Sequence, residues 1–203
     1  YLSINSNNIF NLGTSSDFYI ELDFYVISLN SFNNIIRNIG SWTTTSSAIQ
    51  ILSNGIVTLY AMDNKMASSS NSVNLNTFNN LKVFRKGNIT SITLNGIVTE
   101  LNNLSFNFSD GGSQIGSIDV SPTSYLNGYM SNFKMFVGTS EIPETYNDKK
   151  VLDLDFKPTR KSYLFKDNNN KCVIHPVNIT QRDYQDSQYC CTFNGTNQYL
   201  ELG

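Results

Sequence analysis

The strongest constraint on the fold is a strict alternation of apolar and polar side chains over residues 17–26. The apolar set on one face of an extended chain is Phe18, Ile20, Leu22, Phe24 and Val26. The intervening set on the other face is Tyr19, Glu21, Asp23 and Tyr25. A period of two is the periodicity of a β-strand with one buried face, and it does not fit a helix. The segment therefore predicts a long, half-buried strand.

Shorter segments with strand character recur along the chain, whereas helical periodicity is hard to find. Further strands are predicted at residues 49–52, 56–61, 81–85, 89–94, 97–100, 104–108, 128–137, 151–156, 162–166, 171–174 and 189–193. The dipeptides Asn54-Gly55 and Asn95-Gly96, with Gly87-Asn88, supply the positive-φ residues of tight hairpins. The serine- and threonine-rich stretches 43–47 and 68–72 predict solvated loops. Many short strands joined by hairpins predict an all-β, two-sheet antiparallel sandwich.

Three segments, in the same order as in the family, resemble the laminin G-like branch of the concanavalin A-like jelly rolls. They are residues 1–4 with 17–26, the hairpin from 81–87 through 92–96, and residues 125–136. In the family, the third segment is the closing strand, and its glycine, here Gly128, precedes the alternation. The resemblance implies a laminin G-like jelly-roll body over residues 1–140.

Residues 151–203 resemble the opening strands of the same kind of domain, although they come last. Family domains usually begin with segments like 152–156, 164–167 and 193–202. Residues 141–150, which contain Pro143, are the expected linker. Three arrangements remain open: a circular permutant, one register of a tandem repeat, and strand donation to a neighbour. An unpaired sheet edge is a template for another strand, so we expect an assembly strand formed by Phe193, Tyr199, Leu200 and Leu202.

The composition points to an exterior protein. The 14 basic and 16 acidic residues are spread without blocks, which gives no footprint for nucleic acid. No apolar stretch approaches the ~20 residues of a spanning helix, so no membrane insertion is expected. Charged residues are only 15% of the chain, and polarity comes from 29 Asn, 25 Ser and 16 Thr. This balance favours an extracellular, cell-surface or virion-surface location.

Several residues are candidates for covalent modification. The N-glycosylation sequons lie at Asn88, Asn103, Asn107, Asn178 and Asn194, and about six such triplets are expected by chance in so Asn-rich a chain. Asn88 stands out because a hairpin tip would leave a glycan sterically free. The disulfide candidates are Cys172, Cys190 and Cys191. Adjacent Cys190 and Cys191 cannot both meet Cys172, so one bridge with a leftover thiol, or three buried thiols, remain open.

Sites for metals and catalysis are weakly supported. Metal-type cysteine spacing is missing, and a Ca²⁺ ion at the loop Asp110-Gly111-Gly112 is less favoured than a simple turn. The same fold hosts laminarinase-type glycoside hydrolases, whose active strand carries Glu-x-Asp-x-x-Glu. Glu21 and Asp23 begin that pattern, but Phe24, Tyr25 and Val26 stand where the third acid should be. We therefore expect a protein that is not an enzyme and needs no cofactor.

Two functions follow. The first is a structural subunit that assembles head to tail with copies of itself or with adjacent repeats, as a filament or array, by β-strand complementation. The alternative is a glycan-binding, lectin-like or adhesin module that uses loop aromatics, chiefly Trp42 and Tyr125. Further tyrosines that could stack on sugar rings are Tyr19, Tyr25, Tyr60 and Tyr129. Sequons in use would make either one a glycoprotein.

Overall fold

A computed structural model describes residues 2–4, 11–13, 15–38, 47–60, 66–102, 106–107, 113–116, 125–141, 150–155, 166–167, 174–177, 181–184, 188–194 and 199–202. Their regular structure is entirely β. The strands are β1 (Leu2–Ile4), β2 (Asn11–Gly13), β3 (Phe18–Ser28), β4 (Phe32–Asn38), β5 (Ala48–Leu52), β6 (Ile56–Tyr60), β7 (Met66–Ser72), β8 (Phe78–Lys86), β9 (Ile89–Leu94), β10 (Ile97–Asn102), β11 (Phe106–Asn107), β12 (Ser113–Ile115), β13 (Asn127–Val137), β14 (Lys150–Asp155), β15 (Lys166–Asp167), β16 (Ile174–Val177), β17 (Gln181–Tyr184), β18 (Gln188–Asn194) and β19 (Tyr199–Leu202).

Two large sheets form the body. The eight-stranded sheet has the order β16-β19-β1-β12-β4-β5-β6-β7. The nine-stranded sheet has the path β10-β9-β8-β3-β13-β14-β15, and β18 extends it beside β13 with β17 next to β18. All pairs are antiparallel except β1 with β19. The two-sheet antiparallel sandwich predicted from the sequence is confirmed.

The core lies between the two sheets and follows the alternation seen in the sequence. In β3 the five predicted inward residues are at most 1% exposed, and they pack with Ile49 and Leu59 of the opposite sheet. Each fully buried aliphatic or aromatic side chain contributes about 1.5–3 kcal/mol relative to exposure. The side chains on the opposite face of β3, from Tyr19 to Tyr25, point away from this core.

The predicted hairpin tips are confirmed. Asn95 and Gly96 have φ values of 52° and 84° between β9 and β10, as a type I′ turn requires. Gly55 and Gly87 also have positive φ, at 82° and 60°. Tight turns of this kind fix the register of the β8–β9–β10 and β5–β6 hairpins.

The loop predicted for residues 68–72 is wrong, because these residues belong to the edge strand β7. The Ser69 hydroxyl, which is 6% exposed, accepts the Val57 N–H at 3.1 Å and donates to the Asn71 carbonyl at 2.6 Å. These bonds compensate the burial of a polar strand. Of the other predicted loop, 43–47, only Ser47 lies within the described residues.

Strand β4 was missed because two asparagines interrupt its pattern. Asn33 and Asn34 are both 0% exposed, and the register shifts between Asn34 and Ile36. The Asn33 Nδ2 donates to the carbonyls of Ile51 at 3.0 Å and Asn30 at 3.2 Å. A bulge and satisfied amides therefore allow a strand where composition predicts none.

The C-terminal strands find partners within the same chain. β18 pairs with β13, where Phe193 is opposite Gly128, and with β17 on its other edge. β19 runs parallel to β1, where Leu200 is opposite Leu2, and antiparallel to β16. Both edges of each predicted assembly strand are thus occupied. The circular permutant, the tandem repeat and strand donation stay predictions, as do the boundaries at 141–150 and 151–203.

A buried arginine ties the loop before β3 to the nine-stranded sheet. Arg85 is 1% exposed, and its guanidinium donates to the carbonyls of Ser16 and Gly13, both at 2.9 Å, and of Leu12 at 3.1 Å. It also lies 4.9 Å from the centre of the Phe18 ring. Burial lowers the pKa of Arg85, and the nearby Asp17 charge opposes that shift. Arg85 thus links β2 and the turn before β3 to β8.

Candidate functional site

The outward side chains of β8, β3 and β13 form four rows across the nine-stranded sheet, which we call the aromatic face. Its rows follow the strand registers. They are Phe78–Tyr25–Tyr129, then Asn80–Asp23 with Asn132, then Lys82–Glu21–Lys134, and finally Phe84–Tyr19–Phe136. The β3 side chains of this surface belong to the polar face that the alternation in β3 predicts. The side chains beside them come from β8 and β13, which pair with β3 on its two sides.

The first row is aromatic and partly open to solvent. The Tyr25 ring centroid lies 5.6 Å from that of Phe78 and 5.4 Å from that of Tyr129, with interplanar angles of 69° and 65°. All three side chains are half-buried. Edge-to-face pairs of this kind contribute about 0.5–1.5 kcal/mol each beyond area burial. The row therefore presents fixed ring surface next to the phenolic hydroxyls.

The second row centres on a carboxylate that both neighbouring strands hold. Asn80 Nδ2 donates to Asp23 Oδ1 at 2.9 Å, and Asn132 Nδ2 donates to Asp23 Oδ2 at 2.7 Å. Asn132 is exposed and has φ 54°, within the irregularity between Ser131 and Lys134 that turns its amide outward. Ser131, opposite Asp23, is 3% exposed, and its hydroxyl has no hydrogen-bond partner within the described residues. A buried hydroxyl of this kind needs a hydrogen-bond partner, which a ligand or a water molecule can provide.

The third and fourth rows close the other end of the face. Glu21 is 3.5 Å from Lys82 Nζ and accepts the Tyr19 hydroxyl at 3.2 Å. Tyr19 is 7% exposed and stacks on Phe84 at 6.1 Å. Burial, and then the negative charge of Glu21 with its hydrogen bond, raise the pKa of Tyr19. The fourth row is thus buried at Tyr19 and Phe136, whereas the side chains of the first three rows are half-buried or exposed.

The sequence-predicted stacking residues are distributed differently. Trp42 lies outside the described residues. Tyr125 is half-buried just before β13, and its carbonyl accepts the Asn30 side-chain amide at 3.0 Å. Tyr25 and Tyr129 come together on the aromatic face, whereas Tyr60 lies in the other sheet. Phe78 was not among the predicted residues, because only the register between β3 and β8 places it opposite Tyr25.

The modification candidates stay predictions. Asn88 is exposed at the β8–β9 turn, Asn107 ends β11, and Asn194 ends β18 opposite Asn127. Asn103 and Asn178 lie outside the described residues.

The structure describes two of the three cysteines, Cys190 and Cys191. Cys190 and Cys191 are in β18, opposite Arg182 and Met130. Cys172 lies outside the described residues, as does the candidate calcium loop at 110–112. In the part of the chain that the structure describes, no group of three or more His, Cys, Asp or Glu side chains is placed to hold a metal ion. The same part has no helix long and apolar enough to cross a membrane.

Comparison with known proteins identifies the fold. No protein-family model and no curated protein matches the sequence. Among solved structures, a protein from Bacteroides ovatus whose carbohydrate binding is a provisional assignment matches with TM-score 0.62 and 15% identity, over 98% of this chain and 57% of that one. This chain thus spans a little over half of that protein.

Two further matches have lower TM-scores. The LG4–5 domains of mouse laminin α1 match at 0.46, with 12% identity, over 62% of this chain and 36% of theirs. The CBM40 domain of a Ruminococcus gnavus sialidase, solved with α2,3-sialyllactose, matches at 0.47, with 15% identity, over 61% of this chain and 76% of its own. The chain has the concanavalin A-like, laminin G-like jelly-roll fold, as its sequence predicts.

Proposed function

We propose that this protein is a glycan-binding module and that the aromatic face is its binding surface. The observation that carries the proposal is the half-buried row Phe78–Tyr25–Tyr129 directly beside the Asp23 carboxylate and its two amide donors. The glycan-binding hypothesis from the sequence is retained, and its site moves from the loop aromatics to the sheet.

The chemistry of the face suits a sugar. A pyranose ring has apolar C–H faces that pack on aromatic rings, and hydroxyls that both donate and accept hydrogen bonds. Asp23 accepts hydrogen bonds only, while Asn80 and Asn132 keep side-chain carbonyl oxygens and a second N–H each. Because both amides are bonded to Asp23, these groups are oriented before a ligand arrives, which lowers the ordering cost of binding.

We propose that the module binds glycans without hydrolysing them. A glycosidase needs one carboxyl group that carries a proton toward the leaving oxygen. Glu21 accepts from the Tyr19 hydroxyl and faces the Lys82 ammonium, and Asp23 accepts from two amides. Both carboxylates are thereby committed to neighbours as acceptors.

The fold match supports the same class, because the Bacteroides ovatus protein is provisionally assigned to carbohydrate binding. We further propose an extracellular, cell-surface or virion-surface location, for which the Asn- and Ser-rich composition is the support.

A glycan array on the wild-type chain tests the proposal, followed by affinity measurements on the best ligand. We expect Tyr129→Ala and Asp23→Asn each to weaken binding by tenfold or more, since each removes a contact of about 1.4 kcal/mol or more. Trp42→Ala and Tyr125→Ala are the comparison set and should bind like wild type. Thermal melts identify any variant that has lost its fold.

Two results would overturn the aromatic face as the site. One is a wild-type chain that binds no glycan on the array. The other is loss of binding in Trp42→Ala or Tyr125→Ala, with binding kept in Asp23→Asn, which would return the site to the loops.

Head-to-tail assembly by strand complementation stays a second prediction. The paired edges of β18 and β19 give those strands partners without a neighbour, although an exchanged strand would keep the same registers. Light scattering coupled to size-exclusion chromatography distinguishes intrachain pairing from strand exchange between copies. A molar mass that stays that of a monomer at every concentration excludes head-to-tail assembly.

A further inference from the structure

Strand β10 stands at one end of the nine-stranded sheet, and among the described residues only β9 pairs with it. Ile97 and Val98 of this strand are 51% and 54% exposed, the largest exposures among the described large apolar side chains. Open edges are commonly protected by lysine, proline or a bulge, whereas β10 has none of these and carries Glu100 as its one charge. An apolar edge of this kind is a template for a further strand.

The tight turn before β10 fixes which peptide groups the edge offers. The type I′ turn at 95–96 has two residues, so the closing pair Leu94–Ile97 exchanges both of its hydrogen bonds within the hairpin. Bonded and non-bonded pairs then alternate along β9 and β10, and Val98 and Glu100 belong to the non-bonded pairs. The N–H and C=O groups of Val98 and Glu100 therefore point away from β9, toward the open edge.

The side chains of the edge restrict the register of an added strand. Val98 is opposite Thr93, and Thr93 is opposite Lys82 of the aromatic face. Val98 and Glu100 therefore lie on the outer side of the sheet, and both are exposed. Because opposed residues of a sheet lie on the same side, an added strand must set outward residues against Val98 and Glu100.

A second copy of β10 meets these conditions in one antiparallel register. With Thr99 against Thr99 of the second copy, Val98 is opposite Glu100 of the second copy, and Glu100 is opposite Val98 of the second copy. Each of these two pairs exchanges two hydrogen bonds between groups that point to the open edge, so four backbone bonds form around a two-fold axis. The chain is therefore self-complementary at this edge.

The neighbouring registers are less favourable. Sliding the strands by two residues in one direction sets Glu100 against Glu100 of the second copy, and like charges directly opposite are destabilising. Sliding them in the other direction brings the turn at 95–96 into the ladder, and its positive φ values do not fit a strand. The favoured register also sets Ile97 opposite Leu101 of the second copy, one apolar residue against another.

We propose that β10 is a dimerisation edge, at which two copies of this chain pair antiparallel about a two-fold axis beside Thr99. A contact of about five residues in each copy is far smaller than the ~20–30 residues a side of a standard interface, so the dimer is weak. The pairing joins the two nine-stranded sheets with both aromatic faces on the same side. Three strand spacings in each copy and one between the copies separate the two β3 strands, which places them about 34 Å apart.

This arrangement presents two aromatic faces to one glycan-bearing surface, and simultaneous engagement raises the apparent affinity without a new contact. That consequence rests on the proposed function, whereas the β10 pairing itself does not.

Analytical ultracentrifugation of the full chain over a concentration series tests the pairing, and the wild-type mass should rise to twice that of the monomer and stop there. Val98→Glu should weaken dimerisation at least tenfold, because it sets two carboxylates opposite each other in both pairs. Val98→Lys should dimerise at least as well as wild type, because the new ammonium lies opposite Glu100 of the second copy. Ile27→Glu is the matched control, since Ile27 is 40% exposed on the central strand β3, and it should dimerise like wild type.

A second pair of variants tests the backbone bonds. Glu100→Pro removes an N–H that points to the open edge and leaves the ladder with β9 intact, so it should weaken dimerisation at least tenfold. Glu100→Gln keeps that N–H and should dimerise like wild type or better. Thermal melts identify any variant that has lost its fold.

A wild-type chain that stays monomeric over the whole series would overturn the proposal. A dimer that tolerates both Val98→Glu and Glu100→Pro would place the contact elsewhere, and equal losses in Val98→Glu and Val98→Lys would refute the register. A mass that grows beyond the dimer would indicate head-to-tail assembly instead of a closed pair. Asp23→Asn, which weakens glycan binding under the proposed function, should leave dimerisation unchanged, so the two proposals fail separately.

Discussion

The backbone of Gly128 lies directly against the carbonyl oxygen of Tyr25. A Cβ at position 128 would overlap that oxygen and also meet the backbone of Val26. The contact joins β13 to β3 next to the row that Tyr25 and Tyr129 share. Gly128, the glycine of the segment that resembles the laminin G-like closing strand, is thus required for the close approach of β13 to β3.

Gly128→Ala is expected to reduce the free energy of unfolding by about 3 kcal/mol or more, because the overlap is with the backbone of the neighbouring strand β3 and cannot be relieved by a side-chain rotation. Urea denaturation measures the change. Gly87→Ala is the matched control, since its added Cβ meets nothing within 4 Å and only its φ of 60° is unfavourable. It should cost about 1–2 kcal/mol, and an equal loss in both variants would contradict the overlap.

Arg85→Met should destabilise the protein by about 3 kcal/mol or more, because the carbonyls of Leu12, Gly13 and Ser16 lose the guanidinium as a donor in a largely buried place. Arg85→Lys keeps one charge but not the fork, so its loss should be intermediate. The neighbouring exposed Lys86→Met serves as control and should change stability by about 0.5 kcal/mol or less. A nearly neutral Arg85→Met would mean that water replaces the guanidinium.

Tyr19 should make stability fall at alkaline pH. Its folded-state pKa is raised, so its contribution is fully present below the ordinary tyrosine value of about 10 and is lost as pH rises beyond it. One such group lowers the free energy of unfolding by about 1.4 kcal/mol per pH unit in that range. Chemical denaturation between about pH 9 and pH 11 should give a shallower decline in Tyr19→Phe; parallel curves would exclude Tyr19 as the cause.

Asn95 has two separable roles in the β9–β10 turn. Its φ is 52°, and its side chain donates to Asn79 Oδ1 and accepts the Asn80 N–H, both at 2.9 Å. Asn95→Gly keeps the backbone and loses the two bonds, for an expected loss of about 1–2 kcal/mol. Asn95→Ala adds left-handed strain of about 1 kcal/mol, so it should be the less stable of the two by thermal or urea unfolding. The reverse order would refute the turn argument.

The sequence predicted most strands because alternation is a local property, as in β3, where each inward residue is buried. It missed β2, β4, β7, β12 and β17. In β4 and β7, Asn and Ser side chains are accommodated by hydrogen bonds to other strands. The sequence could not show that Phe78 stands beside Tyr25, because the register between β8 and β3, and no local pattern, brings these two residues together.

What the sequence by itself determined is the class of fold: the period of two, the hairpin turns and the laminin G-like segments suffice for a jelly-roll sandwich. Only the tertiary structure decided which outward residues meet, bringing Asp23 between Asn80 and Asn132, and Gln50 beside Asn34. The physical reason is that the alternation of buried and exposed residues is a property of the sequence of each single strand. The register between strands depends on contacts between residues far apart in the chain.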